Sequence, residues 1–147
     1  MWQRIQTLYL AIATALMATM LFSVKAVIPG AEGAPDQTVK YIAYIPYLIL
    51  LIIICLLDLL ALTTWKFRIF QMRTAVLAAI ITLALQAWLA VDYFTTSDAM
   101  VFRFTAVFPA VAVILDLLGA RAILADQMMV ESFSSLRSRG RRRRKKK

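Results

Sequence analysis

Hydrophobic positions gather in four long runs, about 7–28, 41–64, 74–94 and 104–124. Each is close to the roughly 20 residues that a helix needs to cross the hydrocarbon of a bilayer. Short polar stretches separate them: Pro29-Gly30-Ala31-Glu32-Gly33-Ala34-Pro35-Asp36, Trp65-Lys66-Phe67-Arg68 and Thr95-Thr96-Ser97-Asp98. Loops this short make successive helices antiparallel neighbours. The pattern predicts an all-α integral membrane protein, an antiparallel four-helix transmembrane bundle. The first run is longer than the apolar core of a signal peptide, so it is expected to be an uncleaved span.

Within the spans, small residues mark where helices can approach closely. Ala11, Ala15 and Ala18 do so in the first, Ala75, Ala79 and Ala87 in the third, and Ala106 and Ala110 in the fourth. Pro46 and Pro109 stand in the first turns of the second and fourth spans, where a missing N–H costs least. Beyond the fourth span, Met129, Phe133 and Leu136 recur at i, i+4 and i+7, with Val130 beside them. Residues 125–139 therefore read as an amphipathic helix lying on the bilayer or docking on a partner. Gly140 is expected to end it, and 140–147 form a polybasic tail.

Composition supports the membrane reading and removes whole classes of chemistry. The 147 residues are 62% hydrophobic and 17% charged, with a mean hydropathy of +0.76; soluble domains carry about 25% charged residues. The absence of His excludes His-ligated metals and Ser-His or Cys-His nucleophilic pairs. The single cysteine, Cys55, excludes an intrachain disulfide and reads as a small core hydrophobe. Four scattered glycines leave no phosphate-cradling loop. No catalytic, metal or cofactor site is expected, and the protein reads as non-enzymatic.

Charge fixes the expected orientation. Fourteen of the seventeen Lys and Arg fall at the N-terminus, in or beside the second connection, and from Arg121 at the end of the fourth span onward. The positive-inside rule then puts both termini in the cytoplasm. On the other side, Lys25, Lys40, Asp92 and Asp98 form an interfacial charge set, with Lys25–Asp92 the one specific contact suggested.

Two features carry candidate function. Asp58 and Asp116 are the acids well inside the apolar spans, each about six residues, roughly 9 Å, before its helix reaches the basic end. An ionisable group inside a span is a functional candidate by default. The pair could be a proton or cation site, or each Asp could be held in a structural ion pair by Arg4, Arg73 or Arg121. The second feature is the basic end, Arg137, Arg139, Arg141, Arg142, Arg143, Arg144, Lys145, Lys146 and Lys147. It suits anionic lipid headgroups, or RNA through its phosphates, or acts as a topology signal alone. Without interleaved aromatics it is not built for base stacking.

The chain also resembles a family of small bacterial integral membrane proteins, domain-of-unknown-function family 4293. The resemblance rests on Gln3-Arg4-Ile5-Gln6-Thr7-Leu8-Tyr9-Leu10 and on Lys66-Phe67-Arg68-Ile69-Phe70-Gln71-Met72-Arg73, similar to the family's K-x-R-x-x-Q-x-R. Phe108-Pro109-Ala110-Val111-Ala112, Arg121-Ala122-Ile123 and the stretch from Val130 to Arg137 extend it. The resemblance implies four spans with both ends inside, and no activity. Three roles are therefore expected: an accessory subunit of a membrane assembly with a basic docking tail, a small oligomeric transporter or proton-coupled channel using Asp58 and Asp116, or a ribosome- or translocon-associated factor. The expected partners are anionic lipid, other membrane subunits and RNA at the tail, with no small-molecule substrate identified and the bacterial inner membrane as location.

Overall fold

The computed structural model describes residues 2–30, 35–96, 98 and 100–144, with side chains described between 5 and 134. Four helices make the bundle: α1 (Trp2–Phe22), α2 (Ile45–Thr63), α3 (Arg68–Thr96) and α4 (Phe108–Arg144). All four are long and apolar enough to cross a membrane. Around the bundle α1 packs on α2, α2 on α3, α3 on α4 and α4 on α1. Thus α2 and α4 face each other along one diagonal. Pro46 sits in the opening turn of α2 and Pro109 is the second residue of α4, as their missing N–H groups favour.

Three short strands cap the end opposite the termini: β1 (Val24–Ile28), β2 (Gln37–Lys40) and β3 (Val101–Phe102). They form an antiparallel sheet in the order β2-β1-β3. Val27 stands opposite Thr38 on one side and Val101 on the other. This corrects the first span, expected to run to Ile28. Hydropathy cannot separate the β-branched Val24-Lys25-Ala26-Val27-Ile28 from the helix before it, but β-branched residues favour strands. Pairing on both edges satisfies their backbone without a helix. Across the hairpin loop the Gly30 N–H donates to Asp36 Oδ1 at 3.1 Å.

The opposite boundary also differs from expectation. The extension 125–139 is not a separate helix, since α4 continues without interruption through Gly140 to Arg144. The sequence Ala125-Asp126-Gln127-Met128-Met129-Val130-Glu131 contains no proline. A single glycine costs a helix about 1 kcal/mol relative to alanine but keeps its N–H, so it does not stop one.

The core falls into two apolar clusters. Toward the sheet, Met17, Met20, Tyr41, Tyr47, Leu51, Ile54, Leu85 and Leu89 are buried together. Cys55 is half-buried against them. Toward the termini lies a smaller set, Leu10, Ala61, Ala75, Ala120 and Ile123. The face of α1 that turns inward is Leu10, Ala13, Met17 and Met20, whereas Ala11 and Ala15 are exposed. Large side chains thus took the interior of α1, and the close approach came from Gly119 on α4. A Cβ there would stand 3.3 Å from the Leu10 side chain. Beside it, Gln6 Nε2 donates to the Ala122 carbonyl at 2.9 Å, tying α1 to α4.

Candidate functional site

Asp58 and Asp116 point into the bundle along the α2–α4 diagonal and are wholly buried. Their level follows from a simple count. Arg68 Nη1 of α3 pairs with Asp126 Oδ2 of α4 at 2.8 Å. Ten residues from that pair, about 15 Å along each helix, stand Ala78 on α3 and Asp116 on α4. Ala78 and Ala79 are buried but belong to neither apolar cluster. On α2, Asp58 falls between Ile54 of the sheet-side cluster and Ala61 of the terminal-side cluster. The two acids therefore occupy a layer of their own between the clusters.

None of the four carboxyl oxygens has a hydrogen-bond partner among the described residues. Of the expected structural ion pairs, those with Arg73 and Arg121 are not formed among the described residues. Arg73 and Arg121 are exposed and take part in no ion pair among the described residues, while the Arg4 side chain lies outside them. Arg121 follows Asp116 by five residues, which at 3.6 residues per turn places it about 140° around α4. Arg73 leaves α3 on a different face from its buried neighbours Gln71, Thr74 and Ala75.

On the sheet side, a polar line leads away from the pair. Thr82 and Gln86 follow Ala78 on one face of α3 at intervals of four residues, each step about 6 Å. Thr82 is fully buried and donates to the Ala78 carbonyl at 2.8 Å. Gln86 Oε1 is buried without a partner. Gln86 also lines a cavity of about 480 Å³ with Phe102, Arg103 and Phe104. On the terminal side, the Leu10–Ile123 cluster closes the interior, and Gln6, Gln71 and Thr74 lie buried toward that end.

The sheet end is held by a charged cluster. Lys25 of β1, 8% exposed, pairs with Asp92 of α3. Its Nζ lies 4.7 Å from the centre of the Tyr47 ring. The Tyr47 hydroxyl donates to the same Asp92 oxygen at 2.9 Å. Sequence reading suggested the Lys25–Asp92 contact but missed Tyr47. Next to this cluster, Tyr41 and Thr105 share a hydroxyl contact of 3.3 Å. Burial pushes the Tyr41 phenol above its ordinary value, partly offset by that contact.

Arg68–Asp126 was also missed, because Asp126 reads as the polar face of a surface helix until α4 is known to continue. The basic side chains from Arg137 to Arg144, and Lys145, Lys146 and Lys147 altogether, lie outside the described residues. No group of three or more metal-ligating side chains is present among the described residues.

Four helices fit to span a membrane, with an unpartnered acid pair between two apolar plugs, define a multi-pass membrane bundle. The sequence matches the family described as a domain of unknown function (DUF4293) over residues 2–136, and the chain belongs to that family. No curated protein and no solved structure matches it.

Proposed function

We propose that the protein is a small non-enzymatic, proton-coupled transporter of the bacterial inner membrane, with both termini in the cytoplasm and Asp58 and Asp116 as its proton-binding pair. The observation that carries this reading is the burial of both carboxyl groups with no ion-pair or hydrogen-bond partner among the described residues. Two unpaired negative charges in a low-dielectric interior are costly, and binding a proton relieves that cost. Acids kept inside spans commonly mark proton relays. The line through Thr82 and Gln86 gives a route toward the sheet end. Apolar side chains on either side make the present arrangement the occluded one, with alternate loosening of the two clusters admitting water from each side.

Proteoliposomes holding a trapped pH-sensitive dye test this. An imposed pH gradient is expected to collapse faster with the native protein than in empty vesicles, and Asp58→Asn with Asp116→Asn should return the rate to that of empty vesicles. Equal rates for native and doubly substituted protein would remove the proposal.

A second reading, accessory subunit of a membrane assembly, has its own support. Past the bundle, α4 carries exposed Met128, Met129, Val130 and Phe133 on a helix with no break at which it could turn onto the membrane. Such a face suits a partner helix.

A further inference from the structure

Where α1 meets the elbow between α2 and α3, the terminal end of the bundle opens into a cavity of about 450 Å³. Its walls are Gln6, Leu8, Ala11, Trp65, Arg68 and Gln71, together with Thr7. Gln71 is the telling residue. It is 4% exposed, yet its side-chain amide makes no hydrogen bond among the described residues. Its side chain lines the cavity, so the amide is available to hydrogen-bond an occupant there. Gln6, by contrast, is committed to the Ala122 carbonyl.

The wall chemistry selects the occupant. Arg68 presents its guanidinium from the first turn of α3, with Nη1 paired to Asp126 and its side chain about a third exposed. Lys66 and Arg73 flank the elbow, and Lys66 Nζ stands 5.6 Å from the centre of the Trp65 ring. Among the described residues Asp126 is the one acid paired with these cations, so the surroundings favour an anion. The other wall is apolar and opens sideways, since Leu8 is 57% exposed on the lipid-facing side of α1. Trp65, 62% exposed, is of the type that settles at headgroup level. An anion donor set joined to a lateral apolar groove, at the end of the spans, matches one amphipathic molecule.

We propose that this cavity binds an anionic phospholipid of the adjoining leaflet, its phosphate held by Arg68 and Gln71 and an acyl chain lying along Leu8 and Ala11. The site is independent of Asp58 and Asp116 and of any transport. It places the Lys66-to-Arg73 elbow, rather than the tail alone, in contact with lipid.

Native mass spectrometry of the purified full chain in neutral detergent, titrated with phosphatidylglycerol and separately with phosphatidylcholine, tests this. The native protein is expected to retain one phosphatidylglycerol preferentially. Gln71→Leu should weaken retention about tenfold, as for loss of one hydrogen bond to a charged group. Gln71→Glu should abolish it by setting a carboxylate against the phosphate. Equal retention in all three proteins overturns the site. Displacement of the lipid by millimolar inorganic phosphate, with phosphate binding equally well alone, overturns the lipid assignment in favour of a soluble anion. For the unsubstituted chain, a photoactivatable phosphatidylglycerol should label peptides containing Gln6 to Ala11 or Trp65 to Gln71. Labelling confined to other segments contradicts the proposal even if a Gln71 variant fails to fold.

Discussion

Asp92→Ala is expected to lower the stability of the bundle by about 3 kcal/mol, measured by denaturant titration in mixed micelles. Breaking a buried ion pair by removing one partner costs about 3–5 kcal/mol, because the other charge is left without compensation. The low end applies here, since the Lys25 side chain is 10% exposed but that of Asp92 is 28% exposed. The substitution strikes three elements together, as Asp92 Oδ2 receives both Lys25 Nζ of β1 and the Tyr47 hydroxyl of α2. Lys25→Met combined with Asp92→Leu should recover most of the loss, because an apolar pair carries no charge to strand. If Asp92→Ala unfolds at the native denaturant concentration, the cluster does not hold the sheet to the helices.

The acid pair should behave in the opposite sense. Asp58→Val with Asp116→Val is expected to raise stability by about 1–2 kcal/mol, since buried polar groups without hydrogen-bond partners cost about 1–3 kcal/mol each and apolar ones of similar shape do not. The same variant should show no proton movement in vesicles. Gain of stability with loss of activity is the mark of side chains retained for function. A structural pair would respond differently, and lower stability in the valine variant would show that the acids hold α2 and α4 together.

Much of this architecture was legible because lipid demands it. Spans must be apolar and internally hydrogen-bonded, so long hydrophobic runs translate directly into helices. The same rule explains the error at residues 24–28, where apolar side chains leave helix and strand indistinguishable by hydropathy. Helix faces were harder to read. Without a hydrophobic drive between helices, the inward side of α1 could not be inferred from its alanines, and Ala11 and Ala15 lie outside while Leu10 and Met17 lie inside. The acids were visible as Asp58 and Asp116, and their equal depth follows from counting residues. Their isolation was not visible, because it depends on the directions in which Arg73 and Arg121 leave their helices. Gln71 was hidden for a related reason: only the packing of α1 against the elbow shows that its amide faces a cavity.

Proton coupling requires that Asp58 and Asp116 hold a proton inside the folded bundle. Infrared spectroscopy of the protein in lipid separates the carbonyl stretch of a protonated carboxyl group from the bands of a carboxylate. At neutral pH the native protein is predicted to show a protonated carboxyl band that is absent from the Asp58→Asn, Asp116→Asn variant. A native spectrum with carboxylate bands alone, unchanged in the acid region by the double substitution, would contradict it.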